Sequence, residues 1–228
     1  MKRIASLLFI VLSGFGFGQE LTGLNFTDEN GLKQGAWVDY TQQGKILAIS
    51  TYKDNIYHGV RVVFHNNRTI LKLQEYYNEG KLDGRQRYYD TGGRLIKDAT
   101  YVDGWMNGKY ITYYNTKKKK EEFNYVDGFK QGVCYWYYDN GDKMSEYTYH
   151  KGSIIGTVKN FYQGDVLKST VEFKQNEMNG EFFEYYKEGN GIKTKGFYKN
   201  GKKTGTWTYY TTAGKVESTA KYKEGKKL

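Results

Sequence analysis

The chain has 228 residues, with 35 Lys+Arg against 25 Asp+Glu, 28 Gly, 24 Tyr, 12 Phe, 4 Trp, one Cys and no Pro. A lone cysteine excludes an intramolecular disulfide framework and a Cys-based zinc cluster. Rings make up 18% of the chain, too many for a disordered polymer, and the absence of proline permits long uninterrupted strand pairing.

Residues 1–18 read MKRIASLLFIVLSGFGFG: a basic start at Lys2 and Arg3, an apolar stretch from Ile4 to Phe17, then small residues at Gly16 and Gly18. That layout predicts a secretory signal peptide, too short to span a bilayer comfortably as a helix. The expected location is exported: periplasmic, outer-membrane-associated or extracellular. Residues 19–34 read as a lead-in, an N-terminal partial repeat, before an array over 35–228.

The array shows itself as glycines in one setting: Gly35, Gly59, Gly84, Gly108, Gly132, Gly156, Gly180 and Gly205, at steps of 24 or 25. Five residues after each stands a ring: Tyr40, Phe64, Tyr89, Tyr113, Tyr137, Phe161, Tyr185 and Tyr210. Seventeen after stands another: Tyr52, Tyr76, Tyr101, Tyr125, Tyr149, Phe173, Phe197 and Tyr222. Near the ninth position comes Gly44, Gly93, Gly141, Gly164, Gly189 or Gly214, replaced by Arg68 and Lys117 in two units. A second polar-plus-Gly step follows the second ring, as in Glu79-Gly80, Asp103-Gly104, Asp127-Gly128, Lys151-Gly152, Asn200-Gly201 and Glu224-Gly225. Gly, Asn and Asp supply the positive φ of tight hairpin turns, and Tyr, Trp, Thr and Val suit the pleated segments between them.

Each unit therefore reads as one β-hairpin, and no stretch shows a helical period. The predicted fold is all-β: an elongated, open antiparallel β-meander of about eight tandem hairpins of 24 residues. The rings at the fifth and seventeenth positions fall on adjacent strands; if they share a face, they form ladders of aromatic pairs. A closed barrel or two-sheet sandwich is the rival, against which the regular step argues.

The strings Tyr101-Val-Asp-Gly-Trp-Met-Asn-Gly-Lys-Tyr-Ile-Thr-Tyr and Tyr198-Lys-Asn-Gly-Lys-Lys-Thr-Gly-Thr-Trp-Thr-Tyr-Tyr resemble the bacterial variant of MORN repeats. The lead-in from Asn25 to Trp37 is similar to the usual opening of such secreted arrays, so the resemblance covers about Asn25 to the C-terminus. It implies hairpin arrays that serve as protein-interaction or membrane-proximal modules, some with phospholipid contact. Long variants similar to this chain are grouped as YwqK-type antitoxins, which would imply capture of a toxin protein.

The residues point to no catalytic, cofactor-binding or metal-binding group. His58, His65 and His150 fall at unrelated positions of their units, whereas metal or nucleophilic sites need convergent partners. Cys134 takes the strand slot of Trp37 and Trp207 and reads as a small apolar filler. Lys117, Lys118, Lys119 and Lys120 fill the turn of the fourth unit, a candidate contact for anionic lipid or polysaccharide; their bland reading is a solvated turn. The expected partner is another protein or a cell-envelope component, with no nucleic acid and no cofactor.

Overall fold

The computed structural model describes residues 23–66, 69–188 and 191–228, so the signal-like segment, Arg68 and Gly189 lie outside the described residues. Among the described residues there is no helix. The chain divides into two compact units: one holds Tyr101–Gly104 and the described residues up to Arg94, the other Leu95–Thr100 and Trp105–Leu228.

The first unit carries β1 (Phe26–Thr27), β2 (Lys33–Tyr40), β3 (Ile46–Lys53), β4 (Ile56–Phe64), β5 (Leu71–Asn78), β6 (Lys81–Leu82) and β7 (Gly84–Tyr89). Strand β8 (Leu95–Val102) contributes to both units. The second unit continues with β9 (Trp105–Tyr113), β10 (Lys119–Val126), β11 (Phe129–Lys130), β12 (Gly132–Tyr137), β13 (Lys143–His150) and β14 (Ser153–Phe161). It ends with β15 (Leu167–Lys174), β16 (Glu177–Tyr185), β17 (Ile192–Lys199), β18 (Lys202–Tyr210), β19 (Val216–Lys223) and β20 (Lys226–Lys227). Within each unit the strands pair antiparallel in chain order, β2 with β3, β3 with β4 and so on, as a meander of hairpins.

Two kinds of turn alternate. The longer one follows the fifth position, closed by bonds such as Thr41 N–H to Lys45 O and Gly44 N–H to Thr41 O. The shorter is a two-residue turn with both φ positive, as at Asp127 (+49°) and Gly128 (+81°), the mirror-image geometry that matches strand twist. Asp54-Asn55 and Gln175-Asn176 form it without glycine, so the polar-plus-Gly pattern found only part of the set.

The glycines that mark each unit sit inside strands rather than in turns. Gly108 has φ +109°, and a Cβ there would approach Cβ of Thr100 to 3.3 Å. At Gly59 the pairing of β3 with β4 slips register, between Ser50 and Tyr52. These are bulges that re-aim the strand, and the same slip recurs at Gly156, Gly180 and Gly205.

Register corrects one set of rings. Gly35 pairs with Tyr52 and Gly156 with Phe173, yet Gly59 pairs with Tyr77 and Gly180 with Tyr198. In the Gly59 and Gly180 repeats six residues rather than five separate the strands at the longer turn (Phe64↔Leu71, Tyr185↔Ile192, against Tyr40↔Ile46). The count of seventeen therefore lands one residue early, on Tyr76 and Phe197, and a one-residue slip puts a side chain on the other face. Phe197 is accordingly exposed and Tyr76 packs against an aliphatic cluster.

The two ring positions also lie on opposite faces. Trp37 opposite Ser50 and Asp39 opposite Ala48 share the face of Tyr52; Val38 opposite Ile49 points the other way, followed by Tyr40. The ladder is thus built from the seventeenth-position rings with those of the second, fourth and fifteenth positions. Its members include Trp37–Tyr52 (6.2 Å between centroids) and Tyr52–Tyr57 (4.7 Å) in the first unit. In the second it runs Tyr110–Phe123 (5.6 Å), Phe123–Trp136 (4.7 Å) and Trp136–Tyr147 (4.8 Å). On the opposite face the first unit buries Val38, Ile49, Val60, Val62 and Phe64 together, each worth about 1.5–3 kcal/mol of burial. Fifth-position rings serve that face, and Tyr40 at 49% exposure is its open end.

A further tie between repeats was not foreseen. The residue after the fifth-position ring reaches the backbone carbonyl of the next repeat's fifth position. Tyr114 Oη donates to Tyr137 O (2.7 Å), Tyr138 to Phe161 O (2.9 Å), Tyr162 to Tyr185 O (3.3 Å) and Tyr186 to Tyr210 O (2.5 Å). His65 takes the same place through Nε2, 3.0 Å from Tyr89 O.

Candidate binding surface

The first residue after each two-residue turn is a row of its own: Ile56, Lys81, Trp105, Phe129, Ser153, Glu177, Lys202 and Lys226. Its side chain leans over the glycine of the following turn at Gly80, Gly104, Gly128, Gly152 and Gly225, but not at Gly201. Ile56 lies over Gly80 in the first unit; Trp105 lies over Gly128 and Phe129 over Gly152 in the second. A Cβ on Gly128 would stand 3.0 Å from Cε3 of Trp105, so glycine there both adopts the turn's positive φ and seats the indole. Both rings touch a turn, Trp105 through Cε3, Cζ3 and Cδ2 and Phe129 through Cδ1, and both stay largely open to solvent: Trp105 is 67% exposed and Phe129 58%. Val126, paired with Phe129 across the turn, is exposed beside them. The sequence signal was present but slight: five of the eight positions in this row are polar, so Trp105 and Phe129 break the pattern.

On the ladder face, lysines two residues before the unit glycine lie over the rings. Lys130 Nζ is 3.9 Å from the Phe123 centroid, 5.2 Å from Tyr149 and 5.3 Å from Trp136. Lys33 sits over Trp37 and Tyr52, and Lys203 over Trp207 and Tyr222. These cations are held by ring quadrupoles.

Lys117–Lys120 do not converge on one point. Lys117 takes φ +66° in the place glycine holds elsewhere, and only Lys117 and Lys118 belong to the turn; Lys119 and Lys120 begin β10. Lys118 Nζ donates to Asn140 O, Lys119 pairs with Glu122 at 2.8 Å, and Lys120 Nζ lies 5.9 Å from the Tyr114 ring. Three of the four amines are spent on separate neighbours.

Nothing in the described residues assembles reacting groups. No cluster of three His, Cys, Asp or Glu side chains among them could hold a metal ion. His58 is exposed, His65 clasps a carbonyl, and His150 Nδ1 lies 3.4 Å from Gln131 Nε2. Cys134 is fully buried, and burial pushes its thiol above the usual range, which makes it less nucleophilic. The most concentrated polar group is buried in the first unit, where Glu75 accepts from Arg61 Nη1 (2.8 Å), Gln86 Nε2 (2.7 Å) and Tyr77 Oη (3.0 Å). Burial first, then the Glu75 charge and hydrogen bond, push the Tyr77 phenol up to about 12. With both carboxylate oxygens engaged by donors, this is a structural knot within the ladder face.

Comparison with protein families matches a MORN repeat variant at residues 130–151 and 203–224. Each match spans one hairpin, from the lysine two before Gly132 or Gly205 to the short turn. MORN repeats are in general non-enzymatic modules that bind proteins or membranes. No curated protein matches the chain.

Proposed function

We propose that this chain is an exported, non-enzymatic binding module of the cell envelope or exterior, and that the hairpin tips of the second unit carry its contact surface. The reading rests on one observation: Trp105 and Phe129 hold the same place in successive repeats, each more than half exposed to solvent. Exposed aromatic side chains on a rigid sheet are the usual anchors of recognition. The basic start and apolar stretch of residues 1–18 support export. The partner is another protein or an envelope component, held by the tips rather than by Lys117–Lys120, three of whose amines are engaged locally.

The test is fractionation of cells producing the full chain. The expected protein is processed near Gln19, lies outside the cytoplasm and sediments with envelope material. Trp105→Ala together with Phe129→Ala should release it into the soluble exported fraction. Retention of that variant, or an unprocessed cytoplasmic chain, contradicts the proposal.

A further inference from the structure

We infer, on the reading of the tips as the docking surface, that the Trp105–Phe129 ledge takes an extended, uncharged β-1,4-linked polysaccharide strand. Two observations, set beside the geometry of the sugar chain, favour sugar over the alternatives. The two rings lie on β9 and β11, separated by β10, so they repeat at about two strand spacings, roughly 9.5 Å. An extended β-1,4-linked pyranose chain turns the same sugar face outward at every second residue, a repeat of comparable length. Each ring touches a turn glycine and stays more than half exposed, leaving aromatic surface on which a pyranose can lay its apolar C–H face.

Size decides against a folded protein. Rings of this kind bury about 150–250 Å² each, so the pair offers about 300–500 Å², well under the roughly 800 Å² per side of a stable protein interface. Charge decides against a polyanion or an anionic membrane. The turn residue beside Phe129 is Asp127, which accepts a hydrogen bond from Asn107 Nδ2 at 3.2 Å, and the next tip carries Lys151. With Asp103 two residues before Trp105, the ledge carries two acids, one base and an amide, which suit hydroxyl groups better than a polyanion.

Trp105 also provides the readout. Trp37 and Trp136 are half-buried and Trp207 is buried, so the solvent-exposed component of tryptophan emission belongs to Trp105. The experiment titrates the processed full chain with cellohexaose and chitohexaose, following heat and emission. At least one probe should bind and shift the emission to the blue, insensitive to salt, with the matching disaccharide much weaker because it reaches only one ring. Trp105→Ala or Phe129→Ala should weaken binding at least about tenfold, whereas Trp105→Phe keeps most of it, and all three variants should melt like the parent. Should neither hexasaccharide bind while envelope sedimentation still depends on Trp105, the sugar inference is wrong and the docking surface stands. Loss of both dependences overturns both readings. Binding that Trp105→Ala leaves intact overturns the site.

Discussion

Trp207 lies flat against the backbone of Gly196: a Cβ at that position would overlap Cδ2 and Cε2 of the indole. Trp207 is 1% exposed and also contacts Phe182 at 5.3 Å and Tyr198 at 5.1 Å. Gly196 does not owe its place to a positive φ; it is glycine because a ring occupies the space a side chain would need. Gly196→Ala should therefore destabilise by about 1–3 kcal/mol through overpacking, and Trp207→Ala by about 3–5 kcal/mol. In the Trp207→Ala background the alanine at 196 should cost almost nothing. Urea unfolding of the four proteins of that cycle reads the coupling directly, and additive losses would deny the contact.

The ladder carries a positional prediction. Phe123 is buried between Tyr110 and Trp136, under Lys130. Phe123→Ala should cost about 3–5 kcal/mol. Tyr222, paired on one side only with Trp207's strand and on the other with the short β20, should cost no more than about half as much. Denaturant midpoints of the two variants check it; equal losses would mean that neighbouring repeats do not support one another.

The tyrosine clasps can be removed one hydroxyl at a time. Tyr114→Phe, Tyr138→Phe and Tyr162→Phe each delete one bond to the following repeat's carbonyl while leaving the ring. Each should cost about 0.5–1.5 kcal/mol. Tyr114 and Tyr162 stand two repeats apart, about 19 Å by strand spacing, so their losses should add. A variant as stable as the parent at any of these positions would show that its carbonyl is satisfied otherwise.

Alkaline pH should unfold the chain before it titrates freely. Burial raises the phenols of Tyr77 and Tyr125 to about 12, and the bond to Tyr222 followed by burial does so for Tyr209; Tyr52 and Tyr137 are also raised. A group whose folded pKa exceeds its unfolded value of about 10 keeps its full stabilising effect below pH 10 and loses it as pH climbs toward the folded value. Melting temperature should thus be flat to about pH 10 and fall steeply from 10 to 12. Tyrosinate absorbance should rise together with loss of the near-ultraviolet dichroism; a smooth titration with native dichroism retained would contradict this.

Much of this fold is written in periodicity, and the rest escapes it for identifiable reasons. Glycine spacing and paired rings suffice for hairpins, because turns and pleats make local demands on residue type. They do not distinguish a turn glycine from a bulge glycine such as Gly108, since both need positive φ. Nor do they reveal that an extra residue in the longer turn moves the ladder from Tyr76 to Tyr77, because both residues are tyrosine. The clasp row was readable at Tyr114, Tyr138, Tyr162 and Tyr186 but hidden beside an equally regular ring. Arg61 and Glu75 stand where other units place rings or small side chains, and only their pairing explains them. The ledge occupies two positions out of eight, and a feature that does not repeat leaves no mark on a search for repeats.

The lysine and ledge readings separate in one comparison. Envelope sedimentation of the exported chain, measured across a salt series, sets Trp105→Ala/Phe129→Ala against Lys117–Lys120 all changed to Gln. The account predicts that the ring variant is lost from the pellet at every salt concentration while the glutamine variant stays with it. Release of the glutamine variant, with the ring variant still bound and binding weakened by salt, would place the contact at the lysine turn and contradict the account.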